Sequence, residues 1–181
     1  MNKLMGVILC GGESRRMGRD KGLLHRGGVP WVLHMADKLI SFHLPVIFSV
    51  NASQADVYAA QFPGIRLVVD SGDIRAGGPL KGLLSVQRQY PDKDLLLLAC
   101  DMVDMDRVTI GQLLEAYRAG GDYECYAYRE GEFFETFCAI YTAAGLKAAL
   151  QNISLQQLLK KGRTKPLVIP DIAAFRNYNT M

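Results

Sequence analysis

Four short apolar runs recur along the first hundred residues, and their pattern constrains the fold more than any other feature of the chain. The runs are LMGVILC, PVIFSV, IRLVVD and DLLLLAC, at 4–10, 45–50, 65–70 and 94–100. Each run is continuously hydrophobic rather than alternating, which is typical of strands that are covered on both faces. Helices usually supply that cover in a parallel sheet, so the runs predict an α/β architecture.

Helix-like segments separate these runs, at 30–42, 53–62, 79–90 and 109–120. Pro30 lies near the first start, Ser53 is the predicted N-cap of the second helix, and the last helix is predicted to begin at Thr109. This alternation predicts a doubly wound parallel sheet. After residue 120 the pattern changes to two strands within 123–141, with a turn at 129–131. Helices at 142–150 and 154–160 and a last strand at 166–170 complete the prediction.

The composition is that of a soluble globular domain, with 181 residues, 49% of them hydrophobic and 22% charged. None of the four cysteines forms a CxxC pair, so we expect reduced thiols in a cytoplasmic protein. The N-terminal apolar run has seven residues and no small-residue cleavage site follows it. We therefore expect a buried strand there rather than a leader or a membrane span.

Glycine and positive charge are concentrated in the loop LCGGESRRMGRDK at 9–21, directly after the first predicted strand. Five of the 21 Lys and Arg residues lie within 15–26. Ligands of open α/β sheets bind beyond the carboxyl ends of strands, where Gly11 and Gly12 would let backbone N–H groups approach an anion. The loop is neither a Walker A sequence nor a GxGxxG fingerprint. It favours a small polyanionic ligand over nucleic acid, and the alternative is a solvated basic loop.

The same loop resembles the LxGGxSxRMGxDK signature of the nucleotidyltransferases that include molybdenum cofactor guanylyltransferase, the MobA family. Further similar segments follow in family order: VPWVLHMADKL, VNAS, VVDS, GGPLKGLLSV, ACD and FRNYNT. The similarity covers most of the chain and is weakest between residues 105 and 170. It implies a Rossmann-like three-layer sandwich with a mostly parallel central sheet, of the nucleotide-diphospho-sugar transferase type.

The resemblance also implies a reaction and its participants. GMP would pass from GTP to molybdenum-bound molybdopterin with Mg²⁺ as cofactor, forming molybdopterin guanine dinucleotide and pyrophosphate. The chain would be one domain, with a nucleotide-binding half at 1–104 and an acceptor half at 105–181. We expect a cytoplasmic monomer whose partners are GTP, molybdenum-bound molybdopterin and proteins that deliver or receive the molybdenum cofactor. Nucleic acid and membrane are not expected as partners.

Site residues carry over from the family position by position. The GTP contacts fall on Leu9, Cys10, Gly11, Lys21, Asn51, Asp70 and Asp101. Arg16, Lys21 and Asp101 would be the catalytic residues, with Asp101 on magnesium, and Asn177 and Asn179 would lie on the molybdopterin side.

The chemistry of this reaction is compatible with those residue types. Magnesium takes one or two carboxylates and completes its shell with water and phosphate, so Asp101 suffices, although a cap or turn role is the alternative. Asp104 and Asp106 are more typical of helix caps or solvated positions. The attacking phosphate is already ionised, so no general base is needed. We accordingly interpret His25, His34 and His43 as structural or exposed.

Two features allow more than one interpretation. A carboxylate at Asp70 can accept hydrogen bonds from N1–H and the 2-amino group of guanine, but it can equally contact ribose or form a turn. Asn51 carries the same ambiguity. The segment GGPLKG at 77–82 either shapes the base or substrate pocket or is a loop-to-helix junction.

Two other functions remain as alternatives. One is transfer of CMP or another nucleotide to a different cofactor or sugar phosphate. The glycine pair Gly11-Gly12 favours the guanylyl branch over it. The other is a catalytically inactive nucleotide-binding protein, against which the presence of Lys21 and Asp101 argues.

Overall fold

A computed structural model describes residues 3–11, 20–149, 153–176 and 178, and within these ranges the predicted alternation of strands and helices is confirmed. The strands are β1 (Leu4–Leu9), β2 (His25–Arg26), β3 (Val29–Pro30), β4 (Val46–Val50), β5 (Arg66–Val69), β6 (Asp94–Ala99), β7 (Cys125–Glu130), β8 (Phe133–Tyr141) and β9 (Thr164–Val168). The helices are α1 (Trp31–Ile40), α2 (Ala55–Gln61), α3 (Gly78–Gln89), α4 (Arg107–Arg118), α5 (Ala143–Ala148) and α6 (Leu155–Lys161). Single 3₁₀ turns lie at Lys21–Leu23 and Ile172–Phe175.

Seven strands form the main sheet in the order β5-β4-β1-β6-β8-β7-β9. β5, β4, β1 and β6 are parallel, β8 is antiparallel to both β6 and β7, and β9 runs parallel to β7. From β1 the chain moves outward to β4 and β5, and then returns across the sheet to β6 on the other side of β1. The topological switch point therefore lies between the carboxyl ends of β1 and β6, where ligands of such sheets bind.

Both faces of the sheet are covered, which explains the continuous hydrophobicity of the strands. On β1, Leu4 and Ile8 belong to one core cluster, while Met5 and Val7 belong to the other. The first cluster includes side chains of α1, α2 and α4, and the second includes those of α3, α5 and α6. Since successive side chains of a strand point to opposite faces, this division confirms the predicted three-layer sandwich.

Two predicted helix starts are wrong. Ser53 does not cap α2, because its Oγ donates to Asn51 Oδ1 over 2.7 Å and the helix begins two residues later, at Ala55. α4 begins at Arg107 rather than Thr109, because Asp106 is the N-cap and accepts a hydrogen bond from Thr109 N at 2.7 Å. The capping role predicted for Asp106 is thereby confirmed.

All four cysteines are free and buried. Burial raises the pKa of the Cys10, Cys125 and Cys138 thiols, that of Cys125 to about 12. None of the helices in the described ranges has the length and apolar character that crossing a bilayer requires.

Candidate active site

The predicted nucleotide residues lie along one edge of the sheet. Cys10 and Gly11 follow β1, Asn51 follows β4, Asp70 follows β5, and Asp101 lies two residues beyond the end of β6. Because these four strands are parallel, their carboxyl ends share an edge. The fold therefore brings together residues that are as many as 91 positions apart in the sequence, Cys10 and Asp101.

Lys21 and Asp101 form an ion pair at the switch point. Lys21 Nζ donates to Asp101 Oδ2 at 2.8 Å, and only 17% and 12% of the two side chains are exposed. A cation and a carboxylate from loops 80 residues apart are thus held in contact. Partial burial makes the pair stronger than one on the open surface, because water screens it less.

Asp20 fixes the short 3₁₀ turn that carries Lys21. Its Oδ1 accepts hydrogen bonds from Gly22 N and from the hydroxyl of Tyr58, both at 2.9 Å. The ring of Tyr58 is fully buried in α2, so the turn is attached to the helix layer. A Cβ at Gly22 would collide with the Tyr58 hydroxyl, and only glycine fits that position without a shift.

The backbone beyond β1 is already hydrogen-bonded. Cys10 N and Gly11 N both donate to Ser49 O, at 2.9 and 3.1 Å, and Leu9 O accepts from Cys100 N at 3.1 Å. We expected the Gly11 N–H to approach an anion, but this N–H donates to Ser49 O instead. Gly11 instead provides space, because a Cβ there would come within 3.3 Å of both Asn51 N and Asp70 Oδ2.

Asp70 Oδ1 and Ser49 Oγ are two buried oxygens beside α3, 3.4 and 2.6 Å from where a Cβ at Gly82 would lie. Neither has a hydrogen-bond partner of normal geometry among the described residues. Asp70 Oδ2, in contrast, faces the space at Gly11. Burial raises the pKa of Asp70, and the positive charge of Lys81 and the Ser49 hydroxyl partly offset that effect. A ligand donor in the space at Gly11 would therefore meet Asp70 Oδ2.

The side chain of Asn51 forms hydrogen bonds within the turn before α2. Its Oδ1 accepts hydrogen bonds from Ser53 Oγ at 2.7 Å and from Gln54 N at 3.1 Å. The segment at 77–82 is a loop-to-helix junction, with Gly77 as the N-cap of α3 and proline in its first turn. It also carries Lys81, whose positive charge acts on Asp70. Both interpretations of the segment, as part of a pocket and as a loop-to-helix junction, therefore retain support.

A metal at this edge would depend on few protein ligands. Within the described ranges, no group of three or more His, Cys, Asp or Glu side chains could hold an ion. Asp101 is the carboxylate at the switch point, and it is buried to 9% exposure. One carboxylate paired with a lysine at the switch point fits Mg²⁺, which keeps several waters and takes few protein ligands.

Three predicted site residues, Arg16, Asn177 and Asn179, lie outside the described residues, as does Gly12. Tyr178 is described, and its hydroxyl donates to Asp104 Oδ2 at 2.6 Å. Asp104 also pairs with Arg26 at 2.6 Å, and these two hydrogen bonds lower the pKa of the Asp104 carboxyl. Asp104 is thus held by side chains rather than solvated.

The histidines lie apart from this chemistry, as the sequence analysis expected. His25 and His43 are exposed. His34 donates through Nε2 to the backbone oxygen of Arg26 at 2.8 Å.

Asp20, Ser49 and Gln54 were not predicted from the sequence. Asp20 offered a signal, because it precedes Lys21 and a carboxylate is a common cap of a helical turn. Ser49 and Gln54 offered none, because their roles depend on contacts with distant strands.

A model of the MobA-like NTP transferase domain matches residues 6–166 of this chain. Among curated relatives, the molybdenum cofactor guanylyltransferase of Ectopseudomonas mendocina is 34% identical over 164 residues, which cover 88% of this chain and 73% of that protein. The molybdenum cofactor biosynthesis bifunctional protein of Synechocystis is 31% identical over 154 residues. That match covers 84% of this chain and 43% of the relative, so the chain spans less than half of the bifunctional protein.

Solved structures share the fold at lower identity. Molybdopterin-guanine dinucleotide biosynthesis protein A from Archaeoglobus fulgidus superposes with a TM-score of 0.77 at 17% identity, over 97% of this chain and 92% of its own. A complex of protein Rv0371c from Mycobacterium tuberculosis with manganese has a TM-score of 0.69 at 18% identity, over 93% of this chain and 89% of its own.

Proposed function

We propose that this chain transfers GMP from GTP to molybdenum-bound molybdopterin. The chain belongs to the MobA-like NTP transferase family, and the proposal starts from that membership. Nucleotidyl transfer itself follows from the family, and the guanine base and the acceptor are the proposed parts. In the reaction, an oxygen of the acceptor's phosphate monoester attacks the α-phosphorus of GTP. The new P–O bond forms as the bond to pyrophosphate breaks, so pyrophosphate leaves with the electron pair.

The ion pair of Lys21 with Asp101 carries this proposal. Phosphoryl and nucleotidyl transfer depend on positioning and on neutralising charge rather than on covalent chemistry by the protein. A cation beside the triphosphate and a carboxylate suited to a hard metal are the two groups required, and they lie 2.8 Å apart at the switch point. Lys21 would exchange its contact with Asp101 for phosphate oxygens as the nucleotide binds.

Asp101 would hold Mg²⁺, and Mg²⁺ when bound neutralises charge on the triphosphate and the leaving pyrophosphate. The manganese complex of the structurally similar Mycobacterium tuberculosis protein supports a divalent cation in this fold. Arg16, Asn177 and Asn179 keep the roles that the resemblance implies, with Arg16 on the triphosphate and the two asparagines toward the acceptor.

The Asp70 carboxylate, whose Oδ2 faces the space at Gly11, supports guanine as the base. A guanine edge offers two adjacent N–H donors, whereas the corresponding edge of cytosine lacks that pair. Burial raises the pKa of Asp70, and a base that donates to the carboxylate would favour its charged form. The curated relative from Ectopseudomonas mendocina carries a guanylyltransferase name, which agrees with this choice.

The test is a nucleotide comparison with the purified chain. Molybdenum-bound molybdopterin and Mg²⁺ are incubated with GTP, CTP, ATP or UTP in turn, and pyrophosphate release is followed. We expect release with GTP and little with the other three. Preference for CTP would overturn the guanylyl assignment, and GTP binding without pyrophosphate release on any acceptor would favour a binding protein.

A further inference from the structure

Gln54 connects three separate segments of the nucleotide site. Its Nε2 donates to the backbone oxygen of Cys10 at 3.1 Å and to Asp20 Oδ2 at 2.6 Å. Its Oε1 accepts from Asn51 N at 3.0 Å. The side chain therefore joins the end of β1, the end of β4 and the turn that begins at Lys21.

Only a primary amide of this length satisfies all three contacts. Cys10 O and the Asp20 carboxylate are acceptors, while Asn51 N–H is a donor, so the site requires two donated hydrogens and one accepting oxygen. The glutamine amide supplies this set. A glutamate lacks the donors, a methionine lacks both kinds of group, and an asparagine is one carbon shorter.

The contacts also explain why the turn at Lys21 lies where it does. Asp20 receives the Tyr58 hydroxyl and the Gly22 amide through Oδ1, while Gln54 holds Oδ2. Removing Gln54 leaves Asp20 anchored to α2 but disconnects it from the backbone of Cys10. Gln54 then no longer fixes the distance between the backbone at Cys10 and the turn that carries Lys21.

We propose that Gln54 is a positioning residue for the nucleotide, which sets the spacing between the Cys10–Gly11 backbone, Asn51 and Lys21. The inference rests on the proposed function, because it assumes that these three segments surround a nucleoside triphosphate. Gln54 acts through the groups it holds and does not itself contact the reacting phosphorus. Its loss should weaken binding of the nucleotide and leave binding of the acceptor unchanged.

The test measures GTP–Mg²⁺ affinity by calorimetry for the wild type and for Gln54→Glu, Gln54→Met and Gln87→Glu. We expect the Kd to rise about tenfold or more for both Gln54 variants, because each loses hydrogen bonds to a charged group and to buried backbone. Gln87→Glu is the matched control. The Gln87 side chain contacts Pro91 O on the far end of α3 and none of the three segments, so its Kd should stay within about twofold of the wild type.

A pH series separates positioning from general damage to the fold. In Gln54→Glu the introduced carboxylate faces Asp20, which also accepts from the Tyr58 hydroxyl and Gly22 N, and whose charged or titratable neighbours include the Cys10 thiol and, one residue along, Lys21. Two carboxylates in contact share a proton, so the affinity of Gln54→Glu relative to wild type should recover between about pH 8 and about pH 6. Gln54→Met should show no such recovery. The apparent KM for GTP should rise in both variants, while the KM for the acceptor stays at the wild-type value.

Three outcomes contradict the inference in different ways. Gln54 variants that bind GTP–Mg²⁺ as tightly as Gln87→Glu does would remove the positioning role while leaving the proposed function intact. Equal rises in the KM for GTP and for the acceptor would mean that Gln54 only stabilises the fold. A wild type that binds no GTP–Mg²⁺ would overturn the proposed function, and the inference with it.

Discussion

At the scale of single residues, the site is organised by pairs that lie far apart in the sequence. Lys21 and Asp101 neutralise each other, which lets two charged groups remain in a largely buried place. Removing one member leaves the other uncompensated, so substitutions here act on both charge and local structure. A substitution that tests the charge should therefore keep the size and shape of the native side chain.

Asp101→Asn should reduce turnover about 100-fold or more, because it removes the charge that would hold the metal and leaves a side chain of the same size. Pyrophosphate release at saturating GTP and Mg²⁺ measures the effect. The control is Asp37→Asn, which removes an exposed carboxylate paired with Arg107 and should leave turnover unchanged. Equal activity of the two variants would remove Asp101 from the metal role.

Lys38 should make stability depend on pH near the Asp101 loop. Its Nζ donates to Val103 O at 2.7 Å, and burial lowers its pKa to about 8, with the Asp104 charge offsetting part of that effect. Between about pH 8 and the ordinary value of 10.5, the unfolded chain binds more protons than the folded one. The free energy of unfolding of the wild type should therefore rise with pH in this window.

Urea unfolding of the wild type and Lys38→Met at about pH 7, 8.5 and 10 checks this sign. The wild-type free energy of unfolding minus that of Lys38→Met should be constant below about pH 8 and should increase above it. A difference that does not change with pH would mean that Lys38 keeps an ordinary pKa in the folded chain.

At the scale of elements, much of the structure could be predicted from the sequence. The seven strands of the main sheet lie within one or two residues of their predicted ends, because unbroken apolar runs occur where both faces are buried, whereas the short strands β2 and β3 were not predicted. The meeting of the Lys21 and Asp101 loops followed from the parallel topology. The hydrogen bonds of Gln54 could not be predicted, because they join residues 34 and 44 positions away through side-chain packing. The predicted N-cap role of Ser53 was wrong because its hydroxyl donates to Asn51 Oδ1 instead.

The contact of α3 with the sheet should depend on Gly82. A Cβ there would lie 2.5 Å from Leu9 Cδ1 and 2.6 Å from Ser49 Oγ, so Gly82→Ala must move the helix or those side chains. We expect a loss of about 1–3 kcal/mol in the free energy of unfolding, as is usual for overpacking. Chemical denaturation measures the change.

Gly111→Ala provides the matched control for Gly82→Ala. Gly111 also lies within a helix, but its added Cβ would meet Phe42 at 3.7 Å, an ordinary contact. The higher helix propensity of alanine should then leave the protein unchanged or stabilise it by up to about 1 kcal/mol. A similar loss in both variants would mean that the close contacts of Gly82 with Leu9 and Ser49 do not decide the outcome.

At the scale of the whole molecule, the predicted nucleotide-binding and acceptor halves share one sheet. β6 pairs directly with β8, so hydrogen bonds cross the boundary between them. Asp94 adds a second connection, being 1% exposed and accepting from Tyr117 Oη at 2.6 Å and Ala143 N at 2.8 Å. A continuous sheet with such a buried connection favours cooperative unfolding of both halves.

We expect a single unfolding transition, in which the fluorescence of Trp31 and the far-ultraviolet circular dichroism of the whole chain coincide. Tyr117→Phe should lower the free energy of unfolding by about 1–3 kcal/mol, because it removes a hydrogen bond to a buried carboxylate. Both curves should then move together to lower denaturant concentration. Curves that separate in the wild type, or a shift confined to one probe, would show that the halves unfold independently.

The four buried cysteines also determine how this chain can be labelled. The thiolate is the species that alkylating reagents attack, and burial limits both access to these thiols and, for three of them, ionisation. A cysteine introduced by Val168→Cys, at a side chain that is 87% exposed on β9, would react first. A fluorophore could thus be attached to the predicted acceptor half with every native thiol left in place, and energy transfer to it from Trp31 could be followed in the otherwise unaltered chain.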